Sequence, residues 1–183
     1  MDYKMNISGL ERSLPLCPIN ENLQIAAFIM FGDTEITVHS ATELLKKAPE
    51  FDVLITAECK GIPLTYEMSR QSDKDYVVAR KRSKLYMKDV ITVETDSITT
   101  AGKQTLCIGA DEIKKLKNKR VLIVDDVIST GESLNAIECL VKEAGGIVVG
   151  KMAVLAEGDA ANRDDIIFLN RLPLFDGDGN ELN

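Results

Sequence analysis

Apolar and polar positions along this chain follow two rhythms. Residues 51–57, 75–79 and 121–124 are short runs rich in β-branched and aliphatic side chains, the pattern of strands buried on both faces. Residues 147–155 form a fourth such run. Between them, residues 34–47 and 62–70 predict helices, the first closed before Pro49. In residues 133–144, Leu134, Ile137, Leu140, Val141 and Ala144 fall on one helical stripe, and Gly145-Gly146 stops the helix. Strands alternating with helices in this way predict an α/β fold with a mainly parallel sheet.

The flanks are plainer. Residues 14–18 and 23–31 read as strand-like segments joined by the polar turn Asn20-Glu21-Asn22, although a run as short as the second also fits a helix. Residues 159–165 read as a polar loop and 166–175 as an apolar tail. Residues 80–103 break the rhythm: they are charged, threonine-rich and lack a sustained period. A connection that long is usually functional or disordered, so residues 84–103 are expected to form a mobile loop over a site. No repeat or low-complexity linker divides the chain, so residues 1–183 are read as a single domain.

Charge narrows the function. The formal net charge is −7, the wrong sign for a surface that holds nucleic acid or an anionic membrane. The one basic run, Lys114-Lys115-Leu116-Lys117-Asn118-Lys119-Arg120, directly precedes a strand and reads as a solvated helix end and turn. The first twelve residues show no signal-peptide pattern, and no window approaches a membrane-spanning length. Cysteines stand at 17, 59, 107 and 139 with no C-x-x-C pair, and His39 is the only histidine, which argues against a zinc site. Cys107 and Cys139 are expected to be small buried apolar residues, with all thiols reduced in a cytoplasmic protein.

The chemistry concentrates in Val121-Leu122-Ile123-Val124-Asp125-Asp126-Val127-Ile128-Ser129-Thr130-Gly131-Glu132-Ser133. This is a buried strand ending in two carboxylates, then a small-residue loop, then a helix start. In open α/β sheets, ligands bind at this carboxyl edge. Ser129, Thr130, Gly131, Glu132 and Ser133 can aim backbone N–H groups at a phosphate, and Gly131 permits close approach. Asp125 and Asp126 cannot serve that phosphate, but they suit sugar hydroxyls or a magnesium ion shared with a diphosphate. The residues alone therefore predict a phosphorylated sugar. The plainer alternative, a carboxylate cap and an ordinary turn, leaves the apolar strand before it and the amphipathic helix after it without a purpose. No Walker A loop and no G-x-G-x-x-G occurs.

Residues 121–133 closely resemble the PRPP signature of type I phosphoribosyltransferases. The resemblance extends to Glu58-Cys59-Lys60-Gly61, which looks like that family's pyrophosphate loop. It extends also to Arg80-Lys81-Arg82-Ser83-Lys84-Leu85, similar to the R-K-x-x-K-L segment of the adenine enzymes. It covers roughly residues 51–155 and is nearest to adenine phosphoribosyltransferases and a related bacterial group. It implies a five-stranded, mainly parallel core sheet flanked by helices, with a small hood of N- and C-terminal segments over the base. It further implies Mg2+ carried with PRPP, Asp125 being the candidate protein contact to the ion, and a cytoplasmic homodimer.

Carried over by motif, Ser129 to Ser133 would hold the 5′-phosphate, and Asp125 and Asp126 the ribose hydroxyls. Glu58, Cys59, Lys60, Gly61, Arg80, Lys81 and Lys84 would meet pyrophosphate, and Phe28 or Phe31 could stack on the base. Two departures matter. The adenine enzymes carry a catalytic loop glutamate where this chain has Thr100, with Glu94 six residues earlier. Hypoxanthine-guanine enzymes place a carboxylate before the Thr-Gly of the signature, where this chain has Ser129. The resulting expectation is a purine phosphoribosyltransferase, adenine-type first, with PRPP and a purine base or nucleoside 5′-monophosphate as ligands. The alternatives are a PRPP- or nucleotide-sensing protein of the same fold, or an orotate-type enzyme, although its K-x-H-G loop is absent.

Overall fold

The computed structural model describes residues 2–97 and 102–182. At its centre lies a five-stranded sheet, all parallel, built from β4 (Val53–Ala57), β5 (Asp75–Ala79), β8 (Arg120–Ile128), β9 (Ile147–Glu157) and β10 (Ile167–Leu172), in the order β10-β9-β8-β4-β5. Alternation along each strand feeds two separate cores. Val53, Ile55, Val121 and Ile123 point to one face, and Leu54, Leu122 and Val124 to the other, all at most 2% exposed. The first face is covered by α4 (Glu132–Glu143), whose predicted stripe is buried. The second is covered by α1 (Thr34–Leu45) and α2 (Ile62–Ser72). A shorter helix, α3 (Ala110–Leu116), carries the start of the basic run and leads into β8.

The hood is a second five-stranded sheet formed by β1 (Asp2–Ile7), β2 (Leu10–Asn20), β3 (Leu23–Ala26), β11 (Leu174–Phe175) and β12 (Glu181–Leu182). Its neighbours pair antiparallel, and β11 joins β3, so both ends of the chain contribute. It is fastened to the core at the β1–β2 turn. There Ser8 N–H donates to Asn170 Oδ1 at 3.0 Å, and the Ser8 carbonyl lies 2.6 Å from His39 Nε2.

Several expectations change. The segment expected to form a loop at 84–103 contains the strand β6 (Ile91–Ser97) and reaches the start of β7 (Gly102–Ile108), with which β6 pairs antiparallel. Only the base of this ribbon is apolar: Ile91, Val93, Leu106 and Ile108 pack into the α4-side core. A period-2 signal confined to two positions per strand is too short to register. Strand β8 runs on through the carboxylates to Ile128 rather than ending at them. The segment expected as a strand at 23–31 is one only to Ala26, and a 3-10 turn (Gly158–Asn162) occupies the expected polar loop. Cys107 is buried as expected, but Cys139 is exposed, on the outer side of α4. No helix among the described residues is long and apolar enough to cross a membrane.

Candidate active site

The carboxyl ends of β4, β8 and β9 bring the chemistry together. On β8, Asp126 points inward and is 2% exposed, and its Oδ2 accepts no hydrogen bond among the described residues. Its nearest counter-charge is Lys60 Nζ at 3.4 Å, reaching over from the loop after β4. Asp125 turns its carboxylate back, and Oδ1 accepts the Asp126 N–H at 2.9 Å. Burial, reinforced by the neighbouring Asp126 charge, pushes the Asp125 carboxyl well above the usual range, with Lys60 opposing. A buried carboxylate oxygen that meets a half-exposed lysine but accepts no hydrogen bond costs free energy unless a ligand completes it.

The loop after β4 is fitted against β8. A Cβ added to Gly61 would lie 3.0 Å from Asp125 Oδ1 and 3.2 Å from Asp125 Cα, and would collide with Thr56 Oγ1. Only glycine permits this approach. The Glu58–Cys59 peptide is cis. Glu58 turns away from the loop interior: its Oε2 accepts the Lys81 N–H at 3.0 Å, and Arg80 Nη1 stands 3.9 Å from its Oε1. Glu58 thus ties this loop to the segment that leaves β5, and Arg80 pairs main chain to main chain with Cys107 of β7. Cys59 is exposed on the loop. Lys81 and Lys84 are exposed on that outgoing segment.

After β8, the chain turns through Ser129 and Thr130, both exposed, into α4. Gly131 caps the helix at φ 82°, a left-handed conformation, and no side chain caps the first turn. Residues 127–134, with Asp125, enclose a small cavity of about 60 Å³. Uncapped amides of a helix start, beside a cavity and flanked by hydroxyls, have the donors and dipole that would suit an anion.

Two residues stand here that the sequence reading missed. Glu157 ends β9, and burial raises its carboxyl above the usual range against the pull of Lys60. Its place at a strand's carboxyl end was the available signal, lost when the strand was read only to 155. Arg163 lies beside the cradle, with Nη1 2.5 Å from where a Gly131 Cβ would stand. Nothing in its spacing marked it. Thr100 lies outside the described residues. Of the two aromatics considered for the base, Phe28 is only 4% exposed and packs in the core between hood and sheet, while Phe31 is exposed.

A parallel sheet with a hood, and a strand–loop–helix cradle beside paired carboxylates, define the type I phosphoribosyltransferase fold. A family model described as a phosphoribosyl transferase domain matches residues 34–172, and the chain belongs to the phosphoribosyltransferase family. Among curated relatives, a hypoxanthine/guanine phosphoribosyltransferase of Methanotorris igneus is 32% identical over 159 residues, covering 77% of this chain and 83% of that protein. An adenine phosphoribosyltransferase of Kosmotoga olearia is 32% identical over 124 residues, covering 68% of this chain and 69% of the other. Among solved structures, adenine phosphoribosyltransferase from Thermoanaerobacter pseudethanolicus superposes with a TM-score of 0.73 at 23% identity, covering 86% of this chain and 95% of that one.

Proposed function

We propose that this protein joins a purine base to PRPP with release of pyrophosphate. The observation that carries the reading is the adjacency of two unlike subsites on β8 and its exit loop. One is the uncapped helix start at residues 129–133, the other the buried, unsatisfied Asp126 carboxylate beside Asp125. A ligand with a phosphate at one end and hydroxyls next to it answers both, and PRPP has that order of groups.

In this reading the cradle amides and the Ser129, Thr130 and Ser133 hydroxyls bind the 5′-phosphate, while Asp125 and Asp126 accept the ribose hydroxyls. Lys60, the amides of Cys59 and Gly61, and Arg80 surround the diphosphate. The C1–oxygen bond breaks with its electron pair going to pyrophosphate, and a base nitrogen bonds to C1 and loses its proton. Positive charge develops on the sugar ring, so fixing both ends of the ligand and neutralising the leaving group are the main contributions of the protein.

The donors present fit a magnesium ion brought in with the substrate. They are hard carboxylate oxygens, one of which accepts no hydrogen bond among the described residues. Among the described residues, no three acidic, His or Cys side chains converge into a metal cage of their own. Such an ion, when bound, would neutralise charge on the diphosphate.

For the base, the curated relatives carry both adenine and hypoxanthine/guanine names. Ser129 in place of a carboxylate favours adenine. The test is pyrophosphate release from magnesium-PRPP with adenine, hypoxanthine, guanine and orotate. Turnover with a purine is expected, and turnover with orotate alone would refute the reading. If adenine is accepted slowly, Thr100→Glu is expected to raise its turnover, since a loop carboxylate acting as acid or base contributes typically 10²- to 10⁴-fold. PRPP binding with no turnover of any base would favour a PRPP-sensing role, a reading motivated by Thr100 itself.

A further inference from the structure

Arg163 sits at the end of the 3-10 turn after β9, far in sequence from the signature, yet its guanidinium lies against Gly131. Its Nε and Nη2 donate to the two oxygens of Asp165, both at 2.8 Å, and this fork fixes the guanidinium plane. The remaining Nη1 carries no hydrogen bond among the described residues and is 2.5 Å from the place a Gly131 Cβ would occupy. Asp165 is held in turn by Lys151 Nζ at 3.0 Å, and Lys151 reaches Glu138 of α4 at 2.8 Å. Lys142 stands 2.9 Å from the other Glu138 oxygen. Arg163, Lys151 and Lys142 thus alternate with Asp165 and Glu138 in a network that runs from the start of α4 to its last turn. The pairing is tight: Arg163 and Lys151 lower the Asp165 carboxyl far below the ordinary range.

We propose that Arg163 is a positioning residue for the 5′-phosphate. Its clamped guanidinium packs on the Cα of Gly131, holds the loop 129–133 in its anion-accepting shape and sets a positive charge behind the cradle. Gly131 is then required twice over, for its left-handed backbone and because any side chain would displace Arg163. The inference rests on reading the cradle as the phosphate subsite, so it concerns one end of the ligand only. A residue acting there should separate phosphate affinity from diphosphate affinity, which a general stabilising contact would not do.

The test is calorimetric binding of ribose 5-phosphate, AMP and magnesium pyrophosphate to wild type, Arg163→Gln and Arg163→Lys, with KM for PRPP and kcat alongside. Arg163→Gln is expected to weaken ribose 5-phosphate and AMP about tenfold, the scale of one partly neutralised charge near an anion. KM for PRPP should rise similarly, with kcat and pyrophosphate affinity within about twofold of wild type. Arg163→Lys, which keeps the charge without the fork, should recover part of the loss. Unchanged ribose 5-phosphate affinity in Arg163→Gln, or equal loss of phosphate and pyrophosphate affinity, overturns the proposal. If Arg163→Gln does not fold, Asp165→Asn releases the fork while keeping the guanidinium. Loss of the fork is expected to weaken ribose 5-phosphate and AMP selectively even though an anion is removed, and unchanged or tighter binding overturns the proposal. Failure of the underlying reading shows elsewhere: wild type itself would then bind neither ribose 5-phosphate nor AMP.

Discussion

Replacing Gly61 by alanine tests whether the loop after β4 and the signature strand form one unit. Gly61 has φ −73°, so alanine meets no backbone strain, and the perturbation is purely steric. The new methyl would stand 3.2 Å from Asp125 Cα and 3.0 Å from Asp125 Oδ1, and would collide with Thr56 Oγ1. Thr56 is fully buried and Asp125 Cα is backbone in the central strand, so neither can yield. The loop must instead retreat by roughly one ångström to restore ordinary contact with Thr56 Oγ1. Overpacking of this kind costs about 1–3 kcal/mol, and the stiffer unfolded chain returns about 0.4–1. The net loss of about 1–2 kcal/mol corresponds to roughly 2–8 °C in Tm for a chain of this size.

Function should suffer more than stability. A retreat of the loop carries Lys60 away from Asp126, already at 3.4 Å, and shifts the amides proposed to meet the diphosphate. A misplacement of about 1 Å can cost 10²-fold, so this retreat predicts a fall in kcat/KM of roughly that size. Scanning calorimetry and pyrophosphate-release kinetics with saturating base measure the two effects on one preparation. Unchanged Tm together with unchanged kcat/KM would refute the fit between loop and strand. A lowered Tm with unchanged kcat/KM would leave the packing intact but separate it from the chemistry.

Other expectations follow from the same carboxylates. Asp126→Asn removes a nearly buried charge with one oxygen unsatisfied, so stability should hold or rise by about 1 kcal/mol. Ribose 5-phosphate binding, by calorimetry, should fall about 10- to 100-fold, and equal affinity would remove Asp126 from the sugar subsite. The Asp125 carboxyl is raised from 3.8 in the folded chain, so the fold retains a proton that the unfolded chain has already released. Its contribution to stability is complete below the ordinary carboxylate value and is lost as pH rises through the raised one. Wild-type Tm should therefore decline across that window, with Glu157 adding in the same direction. Asp125→Asn should flatten the decline in part, and parallel curves would contradict the assignment.

The parallel core was legible because its inner strands β4 and β8 are buried on both faces. Residues 51–57 and 121–124 had to be almost wholly apolar, and no other element class explains runs that short between amphipathic helices. The edge strands are only half covered, and β10 read merely as part of an apolar tail. The hood was harder. β1 alternates Met5 and Ile7 with exposed neighbours over only six residues, and β11 and β12 are two residues each, β11 being defined by a partner more than 140 positions away and β12 by β11 itself. The β6–β7 ribbon is fixed by packing on α4 and by the Arg80–Cys107 bridge, neither of which leaves a mark in local periodicity.

The candidate site divides along the same line. Its parts contiguous in sequence, residues 58–61 and 125–133, could be read because each needs a local backbone form: a close approach at Gly61 and a left-handed start of α4 at Gly131. What makes each part specific arrives from elsewhere in the chain. Lys60 is only a loop cation until the sheet order β8-β4 sets it 3.4 Å from Asp126. Glu157 becomes a neighbour because β9 lies on the other side of β8. Arg163 is one charge among several in a polar stretch until the turn after β9 folds it against Gly131. The same crossings explain how a chain of net charge −7 could hold a polyanion: its cations need not be numerous, only gathered at one edge of one sheet.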